Sequence, residues 1–157
     1  MEQIRLLCLD GENTAQDLTE RARQIARINL ECFSDPDGEQ VVLKLLQQEG
    51  MHFIVAELEG DCIAYCSFLC VVDECQVINV ATHPMHRGRC IAGSLVKKMQ
   101  SIAVALGCTV ASLEVRRSNA AAISVYSACG FECVGERRRF YKNPAEDALI
   151  MLCSLSS

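Results

Sequence analysis

A carboxylate stands inside an apolar run at Leu113-Glu114-Val115, and a tyrosine, Tyr126, follows twelve residues later. A carboxylate accepts a proton and a phenol can deliver one, so the two residue types suit general acid–base chemistry. A charge buried in a strand is costly unless something compensates it. Glu114 therefore either reaches water through a gap in a sheet or is retained for function. Both residues also have plain structural readings. A tyrosine on a helix ordinarily packs into a core. Glu114 could pair with Arg116, two residues along the same strand face, or with an arginine of the run Glu136-Arg137-Arg138-Arg139-Phe140.

A second stretch, "VATHPMHRGRCIAGSLV" at 80–96, reads as a glycine-containing loop feeding a helix. The N-terminus of a helix offers unpaired backbone N–H groups and the positive end of its dipole, which suits a phosphate. Arg87 and Arg89 add formal positive charge. A simple strand-to-helix loop is the alternative. His52, His83 and His86 are scattered, so no metal site is expected. The eleven cysteines are odd in number and contain no Cys-x-x-Cys pair. Cys62, Cys66 and Cys70 recur every fourth residue on a strand, which predicts one shared face with spacing too wide for a tetrahedral metal. They read as small hydrophobes in a reducing cell. Arg137, Arg138 and Arg139 are expected to face solvent or pair with acids.

The elements that would position these residues are legible in hydrophobic period and punctuation. Residues 2–9 alternate weakly, as a first strand would. Residues 14–33 carry Leu18, Ala22, Ile25, Ala26, Ile28 and Leu30 at helical spacing behind a possible Thr14 cap. "SDPDG" ends that helix, and a shorter one is predicted over about 39–49, stopped by Gly50. Three strands follow, over 52–58, 62–72 and 74–82, the first pair joined by a Glu-Gly-Asp turn. A helix from about 90 to 106 is closed by Gly107. A strand at 109–116 leads to a helix at 119–129, capped by Ser118 or Asn119 and ended by Gly130. Two more strands complete the order βααβββαβαββ, an α/β domain with a mixed sheet.

Composition bounds the class. A length of 157 residues predicts one domain, and 50% hydrophobic with 22% charged residues argues against disorder. The net charge of −5 counts against nonspecific nucleic-acid binding and suits a basic partner. The first ten residues are too acidic and too short in apolar content for a signal peptide. No apolar run approaches the ~20 residues that span a bilayer. A cytoplasmic protein without a membrane partner is the expectation, with oligomeric state left open.

Arg87-Gly88-Arg89-Cys90-Ile91-Ala92 resembles the acetyl-coenzyme A loop of the GCN5-related N-acetyltransferases, (Arg/Gln)-x-x-Gly-x-(Gly/Ala), with Cys90 standing at the first glycine. If that position needs a positive φ, its Cβ costs on the order of 1 kcal/mol. Three longer blocks, "DECQVINVATHP", "LEVRRSNAAAISVYSACGF" and "RRRFYKNPAEDALIM", together resemble the bacterial ribosomal-protein-alanine N-acetyltransferases of that superfamily. "ECFSDP" fits as well, although Asp37 stands where the family commonly has a tryptophan. The resemblance implies a single GNAT-like domain with a mixed, mostly antiparallel central sheet flanked by helices. It implies acetyl-CoA as co-substrate and no metal. Glu114 falls at the family's general base, and Tyr126 at the acid that protonates the departing coenzyme A thiolate. Asn119 falls at a cofactor contact. Val80, Ala81 and Thr82 would present backbone groups to the pantetheine arm. Arg87 opens the motif, and Gly88, Arg89, Cys90, Ile91, Ala92 and Gly93 would surround the pyrophosphate.

The chemistry has its own need for such residues. A peptide α-amine with a pKa of about 7.7–8.0 must lose a proton before it attacks a thioester. A carboxylate can take that proton directly or through water, and a neutral tyrosine can protonate the thiolate. Glu114 is then expected on a strand edge where two strands splay, facing a wet cleft. The leading reading is direct transfer of acetyl to the N-terminal alanine of a ribosomal protein with a basic leading segment. Asp73, Glu74, Glu146 and Asp147 are candidates for the complementary charge. The same chemistry on another protein or a small amine is a second reading. A non-catalytic acyl-CoA-binding module is a third, kept open by Cys90.

Overall fold

Near-continuous apolar runs over 51–58 and 61–71 and an alternating run over 74–82 build three successive antiparallel strands at the centre of a seven-stranded sheet. The computed structural model describes residues 3–9 and 13–156. Its elements run β1 (Arg5–Leu9), α1 (Ala15–Cys32), α2 (Glu39–Leu46), β2 (Met51–Leu58), β3 (Asp61–Val71), β4 (Glu74–Thr82), a 3-10 turn (Pro84–His86), α3 (Ile91–Ala105), β5 (Val110–Arg116), α4 (Ala120–Ala128), β6 (Glu132–Lys142) and β7 (Ala145–Ser154). The spatial order is β1-β2-β3-β4-β5-β7-β6, and only β4 with β5 is parallel. This is the expected α/β fold in the expected chain order. The predicted start of the first strand at residue 2 lies outside the described residues. The second helix stops at Leu46, earlier than its apolar pattern suggested. Gln47 closes it with bonds back to Lys44 and Leu45, and the chain then turns through Gly50 at φ +84°.

Both faces of the sheet are covered, so the central strands are buried on both sides. Ile54, Phe68, Leu113 and Met151 pack with Leu95 and Met99 of α3 and Tyr126 of α4. Phe53, Val55 and Tyr65 pack on the opposite face with Ile25 and Ile28 of α1 and Val42 of α2. A full capping box starts α1. The Thr14 hydroxyl accepts from the Asp17 N–H at 3.1 Å, and the Asp17 carboxylate accepts from the Thr14 N–H at 3.2 Å. No helix among the described residues is long and apolar enough to cross a membrane.

Two bulges re-aim side chains. In β3, Ala64 pairs with Ala56 and Cys62 with Glu57, which leaves Ile63 as the extra residue. The bulge reverses the alternation, so Cys62 packs on the α1 side while Cys66 and Cys70 pack on the α3 side. The single face expected for these three thiols is thereby corrected. In β4, Ser67 pairs with Asn79 and Phe68 with Val77, which leaves Ile78 extra. Pairing between β4 and β5 is confined to Glu74–Gln76 against Val110–Ser112. From the bulge onward the two parallel strands part. β6 also leaves its ladder between Arg137 and Tyr141, with Arg139 at φ +52°. All three arginines of that run are exposed, and the guanidinium of Arg137 pairs with an acid. Arg137 meets Glu114, whereas Arg139 engages Asp147 only through its backbone N–H, at 2.8 Å.

Candidate active site

The parting of β4 and β5 opens a cleft of about 920 Å³. Val77 to Val80 form one wall, Leu113 to Arg116 the other, and Asn119, Ala122 and Tyr126 of α4 contribute the floor. The α1–α2 loop, with Ser34, Asp35 and Asp37, and the β6–β7 turn, with Tyr141 and Asn143, close one end. Glu114 hydrogen-bonds through its backbone to β7, opposite Ile150, and its side chain lines the cleft. The strand gap that its charge required is therefore present. Its Oε1 lies 3.2 Å from Nε of Arg137, and its side chain is 23% exposed. The alternative partner, Arg116, turns elsewhere. It bonds the Pro144 and Asn143 carbonyls and Glu146, and stacks on Tyr141.

Tyr126 is both packed in the core and placed at the cleft. Its ring packs edge-on against Phe131, with centroids 5.8 Å apart, and only 8% of the residue is exposed, yet it lines the same cleft as Glu114. Burial first, and the neighbouring Cys66 thiol second, push its phenol well above the ordinary value of 10.0. The hydroxyl therefore holds its proton at neutral pH. Asn119 is the cap of α4, its Oδ1 accepting from the Ala122 N–H at 3.2 Å while the residue borders the cleft. Ser118 instead donates its N–H to Glu146.

The loop before α3 has the shape of an anion cradle. Gly88 and Cys90 take positive φ, +84° and +59°, and Cys90 immediately precedes the helix without a side-chain cap bond. The position that the sequence marked as a glycine site is left-handed here. Ile91, Ala92 and Gly93 form the first turn of α3, where backbone N–H groups have no helical acceptor. A Cβ on Gly93 or Gly88 would meet nothing within 4 Å, so room exists beside both. Arg87 points the other way. Its Nε donates to the Thr82 carbonyl at 3.2 Å and its Nη2 lies 3.5 Å from Cys32 Sγ, tying the loop to the end of β4. Val80, Ala81 and Thr82 pair with β3 on one edge, and their other edge borders the gap left by β5. The backbone on this edge and the α3 N-terminus fit a long phosphate-bearing co-substrate such as acetyl-CoA. No metal-holding group of His, Cys, Asp or Glu occurs among the described residues.

Ser34, Asp35 and Tyr141, which close the end of the cleft, lie within the blocks "ECFSDP" and "RRRFYKNPAEDALIM" but carry no role assigned from the sequence. They come from loops and a strand tip, where neither hydrophobic period nor glycine spacing carries a signal. A second hollow of about 1000 Å³ lies between α3, β6 and β7, lined by Lys97, Gln100, Val134 and Leu152. It contains neither Glu114 nor Tyr126, so its size does not make it the site.

Comparison with known proteins agrees with this geometry. The sequence model of the Acetyltransferase (GNAT) family matches residues 22–131. A Bacillus subtilis protein provisionally named ribosomal protein bS18-alanine N-acetyltransferase is 32% identical over 113 residues, covering 72% of this chain and 75% of the relative. The ribosomal protein bS18-alanine N-acetyltransferase of Escherichia coli K12 is 32% identical over 99 residues, covering 62% and 67%. The crystal structure of the Escherichia coli ribosomal-protein-S18-alanine N-acetyltransferase superposes with a TM-score of 0.82 at 26% identity, covering 100% of this chain and 96% of that one. With a splayed sheet, a phosphate-suited helix start and a family match over most of its length, this chain belongs to the GNAT family of acetyltransferases and is an acetyl-CoA-dependent N-acetyltransferase.

Proposed function

We propose that the protein transfers acetyl directly from acetyl-CoA to the N-terminal alanine amine of a ribosomal protein, with Glu114 as base and Tyr126 as acid. The observation that carries this reading is the convergence of Glu114 from β5 and Tyr126 from α4 on one cleft between parted strands. The relatives' names support the acceptor. Glu114 takes the proton from the α-ammonium, directly or through a water, once the incoming cation displaces Arg137. The Tyr126 hydroxyl delivers its proton to the departing sulfur. Backbone groups of Val80, Ala81 and Thr82 and contacts from Asn119 would align the pantetheine arm. Gly88 through Gly93 would hold the pyrophosphate at the positive end of α3. No cysteine is needed as an acyl carrier.

Charge lining the cleft supports a basic peptide, although only one of the acids the sequence suggested, Glu74, is among the residues that supply it. Glu146 is engaged by Arg116 and the Ser118 N–H, and Asp147 by the Arg139 N–H. Glu74 lines the cleft as expected, joined there by Asp35 and Asp37. The test is thioester consumption with a basic peptide that starts with alanine, compared with spermidine and with no acceptor. Turnover well above both controls is expected with the peptide. Equal rates with spermidine would replace the protein acceptor by a small amine.

A further inference from the structure

One guanidinium joins the two segments that close the acceptor end of the cleft. Arg116 is the last residue of β5, and its side chain is 24% exposed. Its Nη1 donates to the Pro144 carbonyl at 3.0 Å and to Glu146 Oε1 at 3.3 Å. Its Nη2 donates to the Asn143 carbonyl at 3.3 Å and to the Ser34 hydroxyl at 3.4 Å. The guanidinium carbon lies 4.3 Å from the centroid of the Tyr141 ring. Four acceptors and one aromatic face are thus held by a single planar fork. Three of the acceptors and the ring belong to the β6–β7 segment, and the fourth belongs to the α1–α2 loop. That loop is fixed independently at its far side, where Asn29 Nδ2 donates to the Asp37 carbonyl at 3.1 Å, and Asn29 itself accepts from the buried Tyr65 hydroxyl.

We propose that Arg116 is a positioning residue for the acceptor. It sets the separation of the α1–α2 loop and the β6–β7 turn, and hence where the acceptor's leading residues lie relative to Glu114, two residues back on the same strand. Lysine cannot substitute. An ammonium is a point charge without the planar fork that reaches several acceptors while stacking on a ring. The groups that Arg116 holds, Ser34, Tyr141, Asn143, Pro144 and Glu146, lie away from the donor end of the cleft at the start of α3, so acetyl-CoA binding should be indifferent to it. The inference rests on the proposed protein acceptor only for the choice of peptide, because wild-type turnover is measured first. If the wild type prefers a small amine, the same comparison is run with that amine.

The experiment compares wild type, Arg116→Lys and Ser34→Ala by steady-state kinetics in each substrate, by calorimetric binding of acetyl-CoA and by melting temperature. Arg116→Lys should raise the acceptor KM about tenfold, equivalent to 1.4 kcal/mol of lost positioning. The acetyl-CoA Kd should be unchanged. Ser34→Ala removes only the bond across the cleft at an exposed loop, so it should raise the acceptor KM by a smaller factor at unchanged melting temperature. Ser34→Ala added to Arg116→Lys should produce no further rise, because both remove the same link. Unchanged acceptor KM in Ser34→Ala, or equal losses for acceptor and acetyl-CoA in Arg116→Lys, would overturn the proposal.

Discussion

Glu114 and Tyr126 differ in what surrounds them, and the difference fits the division of labour proposed for them. Glu114 is partly exposed and already faces a cation, Arg137, whereas Tyr126 is buried and neutral. Replacing Glu114 by Gln should lower kcat/KM most near neutral pH, where an α-amine of pKa about 7.7–8.0 is still largely protonated. The deficit should shrink above that pKa, because free amine then arrives without help. A parallel loss at every pH, with a lower melting point, would reduce Glu114 to the structural partner of Arg137. Tyr126→Phe removes only the proton donor and keeps the packing on Phe131. The chemical step should slow by ~10²–10⁴-fold with acetyl-CoA affinity nearly intact. Single-turnover rates near wild type would leave Tyr126 a packing residue.

At the scale of elements, two departures from regular geometry shape the site. The Ile78 bulge bends β4 just where its pairing with β5 ends, and bulges are a common way to terminate a ladder beside a functional cleft. The loop before α3 is the other. Cys90 occupies a left-handed conformation in which a Cβ is strained by roughly 1–2 kcal/mol. Cys90→Gly removes that strain but adds freedom to the unfolded chain. A net gain of about 0.5–1 kcal/mol is expected, raising the melting temperature by roughly 1–4 °C for a chain of this size. Acetyl-CoA affinity should hold or improve, since a smaller residue opens the cradle. Calorimetry showing weaker binding in the variant would mean that the thiol itself contributes to the site.

Across the whole molecule, the buried thiols and phenols give stability an alkaline limit. Burial pushes the Cys62 and Cys66 thiols from 9.0 up to about 12, and raises Tyr65 and Tyr126 above 10.0. A group whose folded pKa is raised stabilises the fold fully below its unfolded value. That contribution is lost as pH climbs toward the folded value, because the unfolded chain sheds the proton first. Each such thiol removes up to about 1.4 kcal/mol per pH unit above its unfolded pKa. Denaturant midpoints should therefore be flat through neutral pH and fall steeply between pH 9 and 12. Replacing Cys66 by Ala should lower the midpoint at pH 7 and flatten the alkaline decline. An unchanged decline in that variant would place the alkaline sensitivity elsewhere.

The order of elements, the Thr14 cap and the glycines that follow α3 and α4 were readable in the chain itself. Each depends on spacing within a few residues, where period, cap chemistry and left-handed backbone act locally. Glu114 was conspicuous for the same reason, since a charge in an apolar strand breaks the local rule. Its partner was not decided there. Arg116 and Arg137 were equally available by sequence, and the β6–β7 hairpin turned Arg116 outward to the strand tip while bringing Arg137 over the carboxylate. The face of Cys62 likewise depended on a bulge at Ile63, which reflects pairing with β2 and leaves no mark in the spacing of cysteines. The acceptor end was the least legible part, because Ser34 and Arg116 meet across 82 residues of chain. Contacts at such separations are set by how the whole sheet packs between its two helical layers, and only the tertiary structure decides them.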